Sequence, residues 1–217
     1  MDLRVNRKTV QQGTVEKLRD AILAGMFQPG DRLVEATLCV SLGVSRPSLR
    51  EALRSLQAER LIEIVPNRGP HIPILSWKDA EEIYEVRALL EGEAAARCAV
   101  VISEKDLTAL SAALEALRRA VKSGSAADKI RFTAEFYAII LRTCENKIIE
   151  QVLESLLARI NFLRARSMSL PGRPKKAFDE TNAIFLAIKA RDAKEARKVA
   201  QRHVANARDA AKKAFLV

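Results

Sequence analysis

The chain has 217 residues, 48% of them hydrophobic, and its 37 Lys+Arg against 27 Asp+Glu give a formal net charge of +10. That composition supports a folded core and favours a polyanionic partner. No apolar run approaches the roughly 18 residues of a membrane span, and Met1–Lys8 lacks the apolar centre of a signal peptide, so a soluble, cytoplasmic protein is expected.

Cys39, Cys98 and Cys144 are scattered and free of CxxC spacing, which argues against a disulfide framework or a zinc knuckle. The charge is uneven. Residues 1–75 carry 11 Lys+Arg against 8 Asp+Glu, residues 76–146 carry 10 against 12, and residues 147–217 carry 16 against 7. The basic last third reads either as solvated helix surface or as nonspecific attraction to DNA. A nucleic-acid argument therefore has to rest on the spacing of particular residues.

From Thr9 to Gly25, Val10, Val15, Leu18, Ala21 and Ile22 follow helical spacing, and Gly25 stands where a helix commonly stops. Gln28-Pro29-Gly30-Asp31 signals a tight turn, and a second helix is expected over Glu35 to Leu42, ending at Gly43. In the next helix Leu49, Ala52, Leu53 and Leu56 share one stripe, while Arg46, Arg50 and Arg54 recur every fourth residue beside it. Ser45 suits the N-cap and Pro47 the first turn. Alone, this is an amphipathic helix with a basic face, either solvated or turned to the major groove. The Gly-containing turn before it makes a helix-turn-helix pattern. Leu61–Val65 reads as a strand, Pro66–Pro70 as a turn and His71–Ile74 as a return strand, forming a wing with Arg68 and Gly69 at its tip. His71 reads as a strand residue.

Beyond Leu75 only helices are expected, over about 77–101, 103–123, 127–145, 147–169, 174–190 and 192–215. The breaks fall at Ser103, Ser123-Gly124-Ser125, Glu145-Asn146, Leu170-Pro171-Gly172 and Arg191-Asp192. The fold class is mainly α: a winged helix-turn-helix domain, residues 1–75, followed by an antiparallel six-helix bundle, residues 76–217. Trp77, at the junction, is expected to anchor packing between the two.

The run Leu18-Arg19-Asp20-Ala21-Ile22-Leu23-Ala24-Gly25, then Pro29-Gly30-Asp31-Arg32-Leu33, Leu42-Gly43-Val44-Ser45-Arg46, Arg50-Glu51-Ala52-Leu53 and Val65-Pro66-Asn67-Arg68-Gly69 resembles the winged-helix domain of GntR-family bacterial transcriptional regulators. Glu85-Val86-Arg87 followed by Leu90-Glu91, opening an all-helical second domain, resembles the FadR-type branch with its FCD domain. The resemblance implies that Ser45, Arg46, Pro47, Ser48 and Arg50 face an operator, with Arg54 on the same cationic arc and Arg68 and Gly69 at the wing. Two departures stand out: relatives usually read Thr-Pro at Pro47-Ser48 and glycine at Arg60, where the arginine removes a helix-ending residue.

Many FCD domains hold a divalent metal with one aspartate and three histidines. In this chain those positions fall on Thr133, Tyr137, Thr181 and His203, with Ile184, Ala187 and Asp192 keeping the register. One imidazole with two hydroxyls and a phenol is no site for Zn²⁺, Mn²⁺ or Ni²⁺, so no metal is expected. The four residues instead form a polar cluster open to a ligand, an internal hydrogen-bond network or water. Arg87 shares an inward stripe with Ile83, Leu90 and Ala94, where a guanidinium needs either a ligand carboxylate or phosphate, or a bundle glutamate.

The expected function is that of a sequence-specific transcriptional repressor, a homodimer on an inverted-repeat operator, controlled by a small-molecule effector, a carboxylate, in the bundle. A regulator without an effector and a nonspecific nucleoid protein are the alternatives. An enzyme is disfavoured, because the chain has no Gly-rich phosphate loop, no nucleophile elbow, no HExxH and only two histidines.

Overall fold

The computed structural model describes residues 10–23 and 26–215, and the helix stop expected at Gly25 lies outside them. The chain divides into two compact units between Leu75 and Ser76. The first contains helices α1 (Val10–Leu23), α2 (Glu35–Leu42) and α3 (Arg46–Ala58) and strands β1 (Glu63–Val65) and β2 (Gly69–His71). The second contains α4 (Trp77–Val101), α5 (Glu104–Ser123), α6 (Ala126–Thr143), α7 (Lys147–Met168), α8 (Arg173–Lys189) and α9 (Ala193–Phe215).

In the first unit the apolar stripe of α3 forms the core. Leu49, Ala52 and Leu56 are wholly buried, and Leu53 nearly so, with Leu18 of α1, Leu33 and Leu38 also in the core. Arg19 of α1 pairs in a fork with Glu59 at the end of α3, Nε donating to Oε2 at 2.9 Å and Nη2 to Oε1 at 2.6 Å. This ties the scaffold helix to the end of α3.

Helix α3 stops without a glycine. Arg60 itself takes the left-handed conformation, φ 56°. Its N–H donates to Gln57 O at 2.9 Å, and the Leu61 N–H donates to Leu56 O at 2.9 Å, the paired bonds of a Schellman ending. The expected loss of a helix stop therefore does not occur; the arginine absorbs the strain instead. Arg60→Gly should relieve about 1–2 kcal/mol of left-handed strain, offset by about 0.5–1 kcal/mol of backbone entropy. A gain of up to about 1 kcal/mol in urea unfolding is the expected net result.

The wing is shorter and earlier than its sequence pattern. Glu63 pairs with His71, Ile64 with Pro70 and Val65 with Gly69. The left-handed Asn67, φ 62°, reverses the chain within Pro66–Arg68, and the Arg68 N–H closes the turn on Val65 O at 3.1 Å. Pairing therefore resumes at Gly69. Past His71 the chain turns its bonds to the segment before α2: Ile72 N–H donates to Asp31 O and Gly30 N–H to Ile72 O, both at 2.9 Å. Leu33 N–H donates to Pro70 O, so Pro70 sits where its missing donor is not needed by β1.

In the second unit most of the short links end in a side-chain cap. Ser76 and Ser125 form capping boxes with Asp79 and Asp128, Ser103 accepts from the Asp106 amide, and Asn146 accepts from the amides of Ile148 and Ile149. Arg191, φ 56°, ends α8 as Arg60 ends α3. Helix α4 packs most extensively on α9. Both faces are alanine-rich: α4 buries Ala80, Ala94, Ala95, Ala96 and Ala99, and α9 buries Ala196, Ala200, Ala207, Ala210 and Ala211. The helices lie so close that a Cβ on Gly92 would stand 2.8 Å from Gln201 Cγ. Trp77 packs within this unit, edge-on to Phe215 at the far end of α9, ring centroids 5.5 Å apart. Among the described residues no helix is long and apolar enough to cross a membrane.

Candidate nucleic-acid interface and buried polar core

The first turn of α3 is built to present its residues outward. Ser45, φ −71°, caps the helix by accepting from the Ser48 amide at 3.3 Å, and the two hydroxyls lie 3.0 Å apart. Pro47 stands in that turn. Ser45, Arg46, Pro47, Arg50 and Arg54 are exposed and Ser48 is half-buried. The arginines differ in their engagements. Arg50 Nε donates to Glu35 Oε2 at 3.0 Å, and Arg54 Nη1 to Glu51 Oε1 at 2.9 Å. Arg46 and Arg68 have no side-chain partner among the described residues. Arg68 is exposed at the wing tip beside Gly69, whose φ of 82° and open surroundings let backbone approach a neighbouring surface. His71 is a strand residue, its Nδ1 2.9 Å from Gly69 O.

The second unit holds polar groups deep in its core. Thr133, Tyr137, Thr181 and His203 are all buried. The sequence-predicted cluster is brought together in part: the Tyr137 and His203 rings stack with centroids 6.0 Å apart. Thr133 donates to Lys129 O at 2.7 Å and Thr181 to Ala177 O at 2.8 Å, so each hydroxyl closes on its own helix. Arg87, 1% exposed, takes the internal partner: its Nε donates to Glu91 Oε1 at 2.7 Å.

Glu180 organises the other side. Arg173 forks onto it with both bonds at 2.8 Å, Asn206 Nδ2 donates to Oε1 at 2.8 Å, and His203 Nδ1 lies 2.7 Å from Oε2. Burial pushes the Glu180 carboxyl up, but the bonds from His203 and Arg173 outweigh it and hold it at about 2. Burial lowers His203 against the pull of Glu180, so a neutral ring donates through Nδ1–H and its other nitrogen carries a lone pair. A cleft of about 390 Å³ reaches Glu180 past Leu170, Pro171, Lys176 and Asn206.

Arg164, Asn161 and Tyr84 escaped the sequence reading. Arg164 of α7 is 6% exposed, its Nη1 donating to Asn161 Oδ1 at 2.7 Å and its guanidinium 5.6 Å from the centre of the Tyr137 ring. Burial, then the like charge of Arg87, lowers its pKa to about 10. The hydroxyls of Tyr84 and Tyr137, and Arg164 Nε, are buried without a hydrogen-bond partner among the described residues. The spacing of buried Leu153, Ile160, Arg164 and Ser167 along α7 is an inward stripe, the signal that marked Arg87 on α4.

The donor set does not fit the metal that the fold implies. Among the described residues no three His, Cys, Asp or Glu side chains converge as metal ligands, and the guanidinium over Tyr137 adds positive charge where a cation would stand.

Residues 4–72 match the family model described as bacterial regulatory proteins, gntR family, and residues 82–206 match the FCD domain. The chain is 31% identical over 189 residues to the HTH-type transcriptional regulator YdhC of Bacillus subtilis, covering 87% of this chain and 83% of that protein. It is 29% identical over 182 residues to the gluconate operon transcriptional repressor of the same organism, covering 81% and 74%. The structure of Escherichia coli McbR/YncC superposes with a TM-score of 0.86 at 22% identity, over 95% of this chain and 99% of that one, and shows the shared fold.

Proposed function

The chain belongs to the gntR family of bacterial regulatory proteins, with an FCD domain, and on that premise we propose that it is a cytoplasmic, effector-controlled repressor acting as a homodimer on an inverted-repeat operator. It is a DNA-binding transcriptional regulator and not an enzyme. The observation that carries the operator reading is the first turn of α3, where Arg46 stands exposed and unpaired among the described residues on a helix whose opposite face is fully buried. Arg46 reads a base edge, with Ser45, Pro47 and Ser48 flanking it on the same turn. Arg50 and Arg54 are held by Glu35 and Glu51 and act on the phosphate backbone, and Arg68 with Gly69 enters the adjacent minor groove.

Arg46→Ala should weaken operator binding by about 1–3 kcal/mol and relax preference at one base pair. Arg54→Ala should weaken operator and random DNA alike and lower the salt slope by about one. Fluorescence anisotropy on both DNAs across salt checks this. Wild-type operator affinity in Arg46→Ala would refute direct readout, and equal affinity of the wild type for operator and random DNA would favour a nonspecific binder.

The effector is a small carboxylate seated in the bundle among Arg87, Thr133, Tyr137, Thr181 and His203. The buried Tyr137 hydroxyl without a partner supports this seat, and the name of the gluconate operon repressor supports the ligand class. Binding releases the operator by favouring one arrangement of the DNA-binding units over another.

A further inference from the structure

Resting on the reading that the bundle holds an effector, we propose that Arg164 anchors its carboxylate, in a seat formed with Tyr84 and Tyr137 that accepts one negative charge and not two. Among the described residues the core buries three guanidinium groups. Arg87 is matched by Glu91 and Arg173 by Glu180. Arg164 has the neutral amide oxygen of Asn161 and, among the described residues, no carboxylate at ion-pair distance. One positive charge is left over in a region where an unmatched charge is strongly disfavoured.

Arg164 Nε–H and the hydroxyls of Tyr84 and Tyr137, all without a hydrogen-bond partner among the described residues, can each donate to a ligand. A ligand completing them must bring acceptors and a negative charge. Arg164 lies 5.6 Å from the centre of the Tyr137 ring and Arg87 5.2 Å from that of Tyr84, and each phenol feels both guanidinium charges, so the groups share one electrostatic site. A carboxylate supplies two acceptor oxygens and a single charge, and the guanidinium edge receives it as a fork. A phosphate dianion would exchange a buried positive excess for a negative one. The aromatic ring of Tyr137 under Arg164 keeps the guanidinium plane oriented.

Thermal melting of the full chain tests the proposal, with acetate, benzoate and gluconate as monocarboxylates and phosphate and sulfate as dianions, all against chloride at equal ionic strength. Without ligand, Arg164→Met should melt no lower than wild type, because it removes an unmatched charge, whereas Arg87→Met should melt lower because it strands Glu91. At least one monocarboxylate should stabilise wild type saturably, with an apparent Kd at least about 30-fold weaker in Arg164→Met and an intermediate loss in Arg164→Lys. A monocarboxylate that binds wild type and Arg164→Met within about threefold overturns the anchor and leaves the effector reading standing. So does an Arg164→Met protein that melts as low as Arg87→Met. Tighter binding of phosphate or sulfate overturns the single-charge seat. If no monocarboxylate stabilises wild type, the carboxylate-effector reading falls, and the anchor with it.

Discussion

Replacing Glu91 by alanine is expected to destabilise the protein by about 3–5 kcal/mol, because it leaves the Arg87 guanidinium buried without its counter-charge. Burial opposes the Arg87 charge, and chiefly the charge and hydrogen bond of Glu91 hold its pKa above the ordinary arginine value. The double replacement Arg87→Met with Glu91→Leu removes both charges and keeps the volume, so it should lie within about 1 kcal/mol of wild type or above it. Urea unfolding of the three variants checks the pair. A cost for Glu91→Ala below about 1 kcal/mol, the range of an exposed pair such as Arg54–Glu51, would mean that solvent reaches the core.

Acid is expected to remove about 3 kcal/mol of stability through Glu180 alone. Its folded pKa of about 2 lies below the ordinary 4.5, so its contribution is complete above 4.5 and is lost as the pH falls through about 2. His203 acts in the same direction at higher pH. Its folded pKa is lowered from 6.5, so the unfolded chain takes up a proton first and stability begins to fall below 6.5. The stability curve should therefore be flat near neutrality and decline in two stages on acidification. Glu180→Gln should flatten the lower stage while lowering stability at neutral pH, because one acceptor oxygen becomes an amide donor facing Arg173 or His203 and Arg173 loses its counter-charge. Chemical denaturation followed across that range measures both. An unchanged acid slope in Glu180→Gln would place the acid sensitivity elsewhere.

Much of this architecture was readable from local chemistry. The caps at Ser45, Ser76, Ser103 and Asn146 are short-range devices, so helix ends followed from a few adjacent residues. The α3 stripe, too, is a matter of periodicity. The wing was misplaced because its return strand is decided by two partners: β1 on one side and the Asp31–Leu33 segment on the other, a pairing that no local pattern reveals.

The core was harder. Arg87 was legible as an inward arginine, but whether it met a ligand or Glu91 depended on a side-chain choice one helical turn away. Arg164 carries the same stripe signal, yet the basic last third of the chain masks it among surface arginines. What distinguishes it is the lack, among the described residues, of a carboxylate at ion-pair distance, and that is a property of the assembled bundle.

The close alanine packing of α4 against α9 also decides where the second unit can yield. Alanine has no rotamer to change, so the alanine contacts leave this pair little side-chain slack and make it the stiffer part of the unit. A guest in the core has to find its room among the long side chains of Tyr84, Tyr137 and Arg164. Strain introduced there finds little relief by repacking along the alanine contacts.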